Sequence, residues 1–166
     1  YEVTMYKLSG RSETGYGITF GMQDINNFLV VMINTTGFYV MGRVEERNFE
    51  EITADGRWAY APELLQGYNR PNTIRVSYDP AESEYTLSIN GTEVETFVDN
   101  ADNPYTGGAL GHIVTLSPFE VFPELPVHVV FEPVDPVDIG VMPSVRSIGS
   151  ARELGSAVAA FGLEER

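Results

Sequence analysis

Three consecutive β-strands with tight polar turns are predicted between Gly15 and Val44, and the middle one is apolar on both faces. Tyr16–Gln23 alternates large and small residues with a period of two, which is typical of a strand. Phe28–Ile33 is apolar throughout, so it needs cover on two sides and is expected to be a central strand. The rest of the chain must therefore form layers around it.

The strand over Tyr16–Gln23 is predicted to carry its large side chains on one face and glycines on the other. Because glycine weakens a strand, a glycine-lined face indicates that something approaches the backbone closely. Two occupants fit: bulky side chains of the facing sheet or of a terminus, or a ligand lying across the strand. The predicted faces are Tyr16, Ile18, Phe20 and Met22 on one side, and Gly15, Gly17, Thr19 and Gly21 on the other.

Short strands and turns continue along the chain at intervals of about ten residues. The pair Asn90-Gly91 favours a type I′ hairpin, because both central residues of that turn have positive φ. Many short strands with little helix predict an all-β, antiparallel two-sheet sandwich, a jelly roll. Glu45–Glu51 is expected to be a charged loop or strand end. The later predicted strands are Thr73–Tyr78, Tyr85–Ile89, Thr92–Val98, Leu110–Leu116 and Val127–Phe131.

The composition changes after Phe131, and residues 133–149 are predicted to be a proline-containing linker that follows a sandwich domain over residues 1–132. Residues 150–166 are predicted to be a C-terminal amphipathic helix, running from about Ala151 to Glu164. Ser150 and Glu153 fit a capping box at its start. We expect this helix to dock onto the sandwich; the alternatives are that it contacts another chain or frays. Its apolar face comprises Leu154, Ala157, Val158 and Phe161.

This order of motifs resembles bacterial concanavalin A-like lectin and glucanase domains, the LamG-like jelly rolls. The resemblance covers roughly residues 1–132 and implies carbohydrate binding, in an accessory domain of a secreted or cell-envelope protein. The E-x-D-x-x-E strand motif of the glucanase branch is absent. The matching motifs are Gly15-Tyr16-Gly17-Ile18-Thr19-Phe20, Asp24-Ile25-Asn26-Asn27, Phe28–Ile33, Phe38–Val44, the Asn90-Gly91 hairpin and Gly108–Val114.

The charge balance excludes two classes of partner. The chain has 10 basic and 24 acidic residues, a formal net charge of −14, so nucleic acid and anionic membranes would repel it. It has no cysteine, and no apolar run reaches the ~18 residues that span a bilayer. Because the chain starts at Tyr1 inside a strand-like run, we expect a processed or trimmed product, in which targeting cannot be read. The resemblance to LamG-like domains implies a location outside the cytoplasm of a bacterium, in the periplasm or at the cell surface.

No catalytic arrangement emerges from the sequence. Glycoside hydrolysis needs two carboxylates on opposite sides of one bond, and no spacing places such a pair. Ser117 lacks the glycines of a nucleophile elbow. We therefore expect a non-catalytic module that binds carbohydrate, with cell-envelope polysaccharide as one ligand class. A structural or protein-interaction module, and a hydrolase with an unrecognised site, are the alternatives.

The predicted binding site combines aromatic rings with amide and cationic groups in one loop region. Sugars stack their C–H faces on aromatic rings, while polar side chains bind their hydroxyls. The alternative is that Trp58 and Tyr60 plug the end of the core. The candidate residues are Trp58, Tyr60, Tyr68, Asn69 and Arg70, which Tyr39 and Arg43 are expected to join from the neighbouring strand.

A calcium site is the one metal site that the sequence suggests. Asp99, Asn100 and Asp102 offer the oxygen ligands that Ca²⁺ takes, although the EF-hand pattern is absent and such polar runs are usually plain loops. His112 and His128 have no Cys or third His nearby, so we interpret both as structural rather than zinc-binding. No cofactor is otherwise expected.

Overall fold

The computed structural model describes residues 1–53, 57–115 and 128–133. Eleven strands lie in these ranges, and every pairing between them is antiparallel. The strands are β1 (Glu2–Ser9), β2 (Tyr16–Asp24), β3 (Asn27–Ile33), β4 (Phe38–Glu45), β5 (Asn48–Glu51), β6 (Ala59–Tyr60), β7 (Asn72–Asp79), β8 (Glu84–Ile89), β9 (Thr92–Val98), β10 (Ala109–Val114) and β11 (His128–Pro133).

The strands form two sheets, so the predicted all-β, antiparallel two-sheet sandwich is confirmed. One sheet has the order β11-β1-β7-β8-β9, and the other has the order β10-β2-β3-β4-β5, with β6 paired to β4. The described ranges contain no helix able to cross a bilayer. The predicted helix over Ala151–Glu164 and the linker beyond β11 lie outside the described residues.

The main core lies between the two sheets. The central strand β3 alternates Leu29, Val31 and Ile33 into this core, and all three are fully buried. Aromatic rings from the other sheet fill the space around Phe20, with Tyr85 and Phe97 stacked at 5.1 Å between ring centroids. The predicted hairpin between β8 and β9 is confirmed, since Asn90 and Gly91 both have positive φ, at 51° and 83°.

A second apolar cluster covers the outer face of the six-stranded sheet. It contains the alternate residues of β3, whose side chains point away from the main core. This explains why the strand is apolar on both sides. All six of its members are buried, with 0–8% of their surface exposed. They are Met22, Phe28, Val30, Met32, Val40 and Ile113.

Met22 was predicted to share the face of Phe20, and this is wrong. The register of β2 against β3 shifts between Phe20 and Asp24, and Gly21 has a φ of +58°. An extra residue in one strand reverses the alternation beyond it, so Met22 lies on the outer face. The glycine face is approached by protein, because a Cβ at Gly15 would lie 3.0 Å from Cη2 of Trp58.

The segment Glu45–Glu51 was expected to be a loop or strand end, yet Asn48–Glu51 forms β5 at the edge of the sheet. A two-residue turn allows this, since Glu46 and Arg47 both take positive φ. The sandwich thus has two distinct ends. We call the end with residues 10–15, 34–37 and 61–71 the aromatic end, and the end with residues 24–27, 45–48 and 99–108 the cleft end.

Candidate functional site

A polar cleft of about 680 Å³ opens at the cleft end of the six-stranded sheet. It lies where β4 and β5 meet the loop that follows β9. The lining combines amides, carboxylates, one guanidinium and one phenol. The residues are Gln23, Asn27, Arg43, Glu45, Glu46, Asn48, Glu50, Asn103 and Tyr105.

Arg43 is the structural centre of the cleft and is only 4% exposed. Its Nη1 donates to Oδ2 of Asp99 at 2.5 Å, and the Asp99 side chain is 6% exposed. Its Nη2 donates to Oε1 of Glu45 at 3.2 Å and to the carbonyl oxygen of Asn103 at 3.0 Å. The guanidinium carbon lies 3.6 Å from the ring centroid of Tyr105, a close cation–π contact.

Tyr105 is clamped on three sides, which fixes the loop after β9. Its backbone N–H donates to Oδ2 of Asp99 at 2.8 Å, and its hydroxyl donates to Oδ1 of Asn27 at 3.3 Å. Its carbonyl oxygen accepts the hydroxyl of Tyr85 at 2.5 Å. Burial raises the pKa of Tyr105 and raises that of Tyr85 to about 12, so both phenols stay protonated donors at neutral pH.

Asn27 forms one wall of the cleft and is held in a single orientation. Its Nδ2 donates to both carboxylate oxygens of Asp24 at 2.9 Å, and its Oδ1 also accepts the backbone N–H of Glu46 at 3.0 Å. The hydrogen bonds from Asn27 and from the backbone N–H of Asn26 lower the pKa of Asp24. The turn between β2 and β3 is thereby tied to the turn between β4 and β5.

The opposite wall carries the groups that are free to bind a solute. Asn48 and Glu50 are exposed, and within the described residues their side chains have no partner. The Glu45 side chain is 58% exposed and makes one contact, with Arg43. Three carboxylates, those of Glu45, Glu46 and Glu50, line the cleft, and its one guanidinium is already paired with Asp99. The cleft is built to exchange hydrogen bonds with a neutral or cationic polar solute, and it repels anions.

The aromatic end presents two exposed rings in contact, and one of them, Tyr60, is among the predicted site residues. Tyr60 is 55% exposed and Phe38 is 36% exposed, and their rings meet edge to face at 5.6 Å. Nε2 of Gln66 donates to the Tyr60 hydroxyl at 3.3 Å. Phe38 begins β4 and Tyr60 ends β6, so both rings stand at the ends of strands.

Tyr68, Asn69 and Arg70 lie in the adjoining loop, and all three are exposed. The Tyr68 hydroxyl donates to the carbonyl oxygen of Gly10 at 2.5 Å, and the backbone N–H of Asn69 donates to the carbonyl oxygen of Lys7 at 3.0 Å. Asn69 takes a φ of 56°, a left-handed conformation that asparagine tolerates. Tyr68, Asn69 and Arg70 thus lie at the same end of the sandwich as Tyr60, and their role in binding a ligand stays a prediction.

Three of the predicted site residues lie elsewhere. Tyr39 is 7% exposed inside the main core, with its hydroxyl bonded to Glu95 at 2.8 Å, because its parity on β4 faces the other sheet. Arg43 shares that parity but lies at the far end of β4, in the cleft. Trp58 is half-buried against the outer apolar cluster. The expectation that Tyr39 and Arg43 join the aromatic loops is therefore wrong.

The alternative in which Trp58 and Tyr60 plug the core is also not what the structure shows, since one packs on the outer face and the other is exposed. In the loop offered for Ca²⁺, Asp99 is engaged by Arg43, while Asn100 and Asp102 are exposed. The described residues contain no cluster of three His, Cys, Asp or Glu side chains suited to a metal. His112 stacks on Phe131 at 4.2 Å and bonds the Tyr1 hydroxyl, and His128 is exposed.

Sequence reasoning missed the cleft residues Asn27, Asn48, Glu50 and Tyr105. The one available signal was the run of polar residues at Glu45–Glu51, for which the sequence predicted a loop or strand end. Once β5 pairs with β4, Glu50 lies opposite Arg43 and Asn48 lies opposite Glu45 on the same face. The polar run is therefore the wall of a cleft.

Comparison with known proteins assigns this chain to no family. No protein-family model matches the sequence, and no curated protein matches it. Among solved structures, the chain is similar to sheep galectin-11 in complex with glycerol, with 12% sequence identity and a TM-score of 0.45. The alignment covers 78% of this chain and 89% of the galectin chain.

Proposed function

We propose that this protein is a non-catalytic carbohydrate-binding module that holds a neutral, hydroxyl-rich saccharide in the cleft around Arg43. The observation that carries the proposal is a concave cleft of about 680 Å³ with amides and carboxylates on a rigid floor. Ligand sites are typically concave and preformed, with a few placed polar groups. Each sugar hydroxyl both donates and accepts, which matches a lining that mixes amides with carboxylates.

The floor is preorganised, and this favours binding. Arg43 contacts Asp99, Asn103 and Tyr105 without a ligand, although its buried Nε has no hydrogen-bond partner among the described residues. A ligand therefore loses little affinity to ordering the protein, because the cleft does not have to form on binding. The exposed Asn48 and Glu50 are the groups available to take its hydroxyls.

The carboxylates of the cleft support binding rather than hydrolysis. A glycosidase needs a general acid whose pKa is raised by its surroundings, typically by burial in an apolar pocket. Glu45, Glu46 and Glu50 are all exposed to solvent. Incubation of a bound oligosaccharide with the protein, followed by analysis for shortened products, is expected to return the ligand intact.

A glycan array followed by calorimetry with the best neutral ligand tests the proposal. The double variant Asn48→Ala/Glu50→Ala removes two exposed, unpartnered groups, so it is expected to leave the fold intact and to weaken binding about tenfold or more. Glycans carrying uronic acid or sulfate are expected to bind least, because the cleft carries excess negative charge.

The matched controls are Tyr60→Ala and Trp58→Ala, which change the aromatic end and the outer face. Both are expected to change the dissociation constant by less than about twofold. A loss of binding in Tyr60→Ala with full binding in Asn48→Ala/Glu50→Ala would move the site to the aromatic end. An array with no bound glycan would contradict the function itself.

We further propose an extracytoplasmic location and cell-envelope polysaccharide as the ligand class. The support for both is the resemblance of the strand motifs to LamG-like domains. Binding of the labelled protein to isolated bacterial envelope fractions, competed by the neutral ligand found on the array, tests this part. Retention that the neutral ligand does not compete would contradict it.

A protein-interaction role is the second candidate, and the exposed rings of Phe38, Tyr60 and Tyr68 favour it. Exposed aromatic residues are enriched at protein interfaces. Loss of partner capture in Tyr60→Ala, together with unchanged capture in Asn48→Ala/Glu50→Ala, would support that role.

A further inference from the structure

The turn between β8 and β9 carries a dipeptide with a chemistry of its own. Asn90-Gly91 is the one Asn-Gly pair in the sequence, and both residues are exposed. In such a pair the backbone nitrogen of the glycine can attack the side-chain amide of the asparagine, because glycine has no side chain to block the approach. The space around Gly91 is open, since apart from its chain neighbours no atom lies within 4 Å of an added Cβ. The turn therefore meets the steric conditions for deamidation.

The fold holds every polar atom of the Asn90 side chain. Its Oδ1 accepts the backbone N–H of Thr73 at 2.8 Å. Its Nδ2 donates to the carbonyl oxygen of Glu63 at 2.7 Å and to Oδ1 of Asn72 at 2.9 Å. We call these three hydrogen bonds the Asn90 clamp. Attack by the Gly91 nitrogen at Cγ expels Nδ2, so the reaction requires the clamp to open.

Asn72 is itself fixed and does not adapt to a changed partner at position 90. It is 2% exposed, and its Oδ1 also accepts the backbone N–H of Leu65 at 2.8 Å. Its Nδ2 donates to the carbonyl oxygens of Leu65 and Arg70 at 3.1 and 3.3 Å. A flip of the amide would turn Oδ1 towards two carbonyl oxygens and Nδ2 towards an N–H. The side chain at position 90 must therefore be a donor.

We propose that Asn90 is a deamidation site which the fold keeps closed, and that its conversion to a carboxylate releases residues 61–71 of the aromatic end. In the reaction, the deprotonated Gly91 nitrogen forms a bond to Cγ of Asn90, and the bond between Cγ and Nδ2 breaks with loss of ammonia. Water then opens the cyclic imide at one of its two carbonyl carbons and leaves an aspartate or an isoaspartate. The net change converts one amide and one water into one carboxylate and one ammonium ion.

The product no longer fits the clamp. A carboxylate has no donor, so the oxygen in the place of Nδ2 meets two acceptors, the carbonyl oxygen of Glu63 and Oδ1 of Asn72. Both acceptors lose their hydrogen bond, and the negative charge adds repulsion. Residues 61–71 thereby lose their direct link to the β8–β9 turn, at Glu63. The inference is independent of what the cleft binds, because the clamp lies at the opposite end of the sandwich.

Peptide mass spectrometry of the full chain tests whether the fold closes the site. The protein is incubated at mildly alkaline pH in buffer and in denaturing urea, and deamidation of Asn90 is followed over time. In urea the clamp is absent, so aspartate and isoaspartate are expected to accumulate at Asn90. In the folded protein the rate is expected to be lower by about tenfold or more, because hydrogen bonds must break first. Equal rates in the two conditions would overturn the proposal.

Asn90→Asp reproduces the aspartate product and tests the release of residues 61–71. Hydrogen exchange by NMR reads two amides of this segment. The N–H of Leu65 donates to Oδ1 of Asn72, and the N–H of Gly67 donates to the carbonyl oxygen of Thr35. Both are expected to exchange about tenfold faster in the variant, while the amides of β3 keep their rates. Unchanged exchange at Leu65 and Gly67 would overturn the proposal.

Asn100→Asp is the matched control, because it adds the same charge at an exposed position near the cleft end. It is expected to leave the exchange of Leu65 and Gly67 unchanged, and an equal increase would assign the effect to net charge and overturn the proposal. If Asn90→Asp fails to fold, protein that was deamidated in urea and returned to buffer supplies the product without a substitution. Exchange at Leu65 that matches the unmodified protein in that sample would contradict the release.

Discussion

The two ends of the sandwich each hold a buried cation, and they hold it differently. At the cleft end, Arg43 is paired with the Asp99 carboxylate and stacks on Tyr105. At the aromatic end, Lys7 is 0% exposed, and its Nζ donates to the backbone carbonyl oxygens of Arg11 and Thr14. One cation is neutralised by a counter-charge, whereas the other is solvated by carbonyl dipoles.

This difference explains how the cleft end can hold the floor of a binding site in place. A buried pair of opposite charges loses a great deal of stability when either partner is removed, since the other charge remains buried and unpaired. Carbonyl dipoles leave no charge behind when their cation is removed. The stability of the loop after β9 therefore depends on Arg43, whereas the stability of the loop after β1 depends less on Lys7.

The largest expected effect follows from Arg43→Met. This change leaves the Asp99 carboxylate buried without its partner and is expected to cost about 3–5 kcal/mol of unfolding free energy. Urea unfolding measures it. The matched control is Arg70→Met, an exposed position at the aromatic end, which is expected to cost less than about 0.5 kcal/mol. If Arg43→Met costs as little unfolding free energy as the control, the proposed difference between Arg43 and Lys7 would be contradicted.

Gly21→Ala is expected to disturb the cleft end next most strongly. The added Cβ would lie 2.8 Å from the carbonyl oxygen of Tyr105, and the φ of +58° disfavours a side chain. We expect a loss of about 2–3 kcal/mol in chemical unfolding. Gly91→Ala is the control, because its φ is also positive at +83° and no atom lies within 4 Å of the new Cβ. Equal losses would mean that backbone conformation alone explains the effect.

The bulge at Gly21 also marks the limit of sequence-based prediction in this chain. Alternation of polar and apolar residues correctly predicted most strands and the sandwich, because period-2 patterning reports burial directly. It also predicted that Met22 would follow Phe20, since an inserted residue leaves no mark on the pattern itself. The Asn90-Gly91 turn was correctly predicted because its backbone requirement is local.

The site was harder to predict than the fold, and Arg43 shows why. Both faces of β4 are apolar, so the sequence does not reveal which face meets the other sheet. Arg43 was therefore grouped with loops that lie near Phe38, at the opposite end of the same strand. Its partners Asp99 and Tyr105 are more than fifty positions away, and nothing local indicates such a pairing.

Lys7 provides a pH test of the same comparison. Burial lowers the pKa of Lys7 from 10.5 to about 8. The Glu13 carboxylate has a smaller, opposite effect and raises this pKa. Between these two values the unfolded chain binds more protons than the folded chain, so stability rises with pH. We expect a gain on the order of 2 kcal/mol between pH 8 and pH 10 in urea unfolding. Above that range Tyr16 and Tyr85, with pKa values raised to about 12 by burial, reverse the trend.

Lys7→Met is the control for this pH dependence. The variant is expected to show no rise between pH 8 and pH 10, because the group that titrates is gone. A rise of the same size in the variant would show that another group causes it, and the description of Lys7 as a carbonyl-solvated cation would lose its support.

The smallest expected effect is at Tyr68. Tyr68→Phe removes the hydroxyl that donates to Gly10 at an exposed position, and we expect a loss of about 0.5–1 kcal/mol in thermal or urea unfolding. Tyr105→Phe, its counterpart in the cleft, removes a weaker 3.3 Å bond while keeping the ring beneath Arg43. A loss larger than that for Gly21→Ala in either variant would contradict the ranking of the contacts.

Backbone NMR during titration with the best neutral oligosaccharide from the array tests the central claim most directly. We predict that the amide signals of Asn48, Glu50 and Asn103 shift most, while those of Tyr60 and Tyr68 stay within the noise. Saturation at one equivalent of ligand would agree with a single cleft. Shifts concentrated at Tyr60 and Tyr68, with unchanged signals for Asn48 and Glu50, would contradict the assignment of the cleft as the binding site.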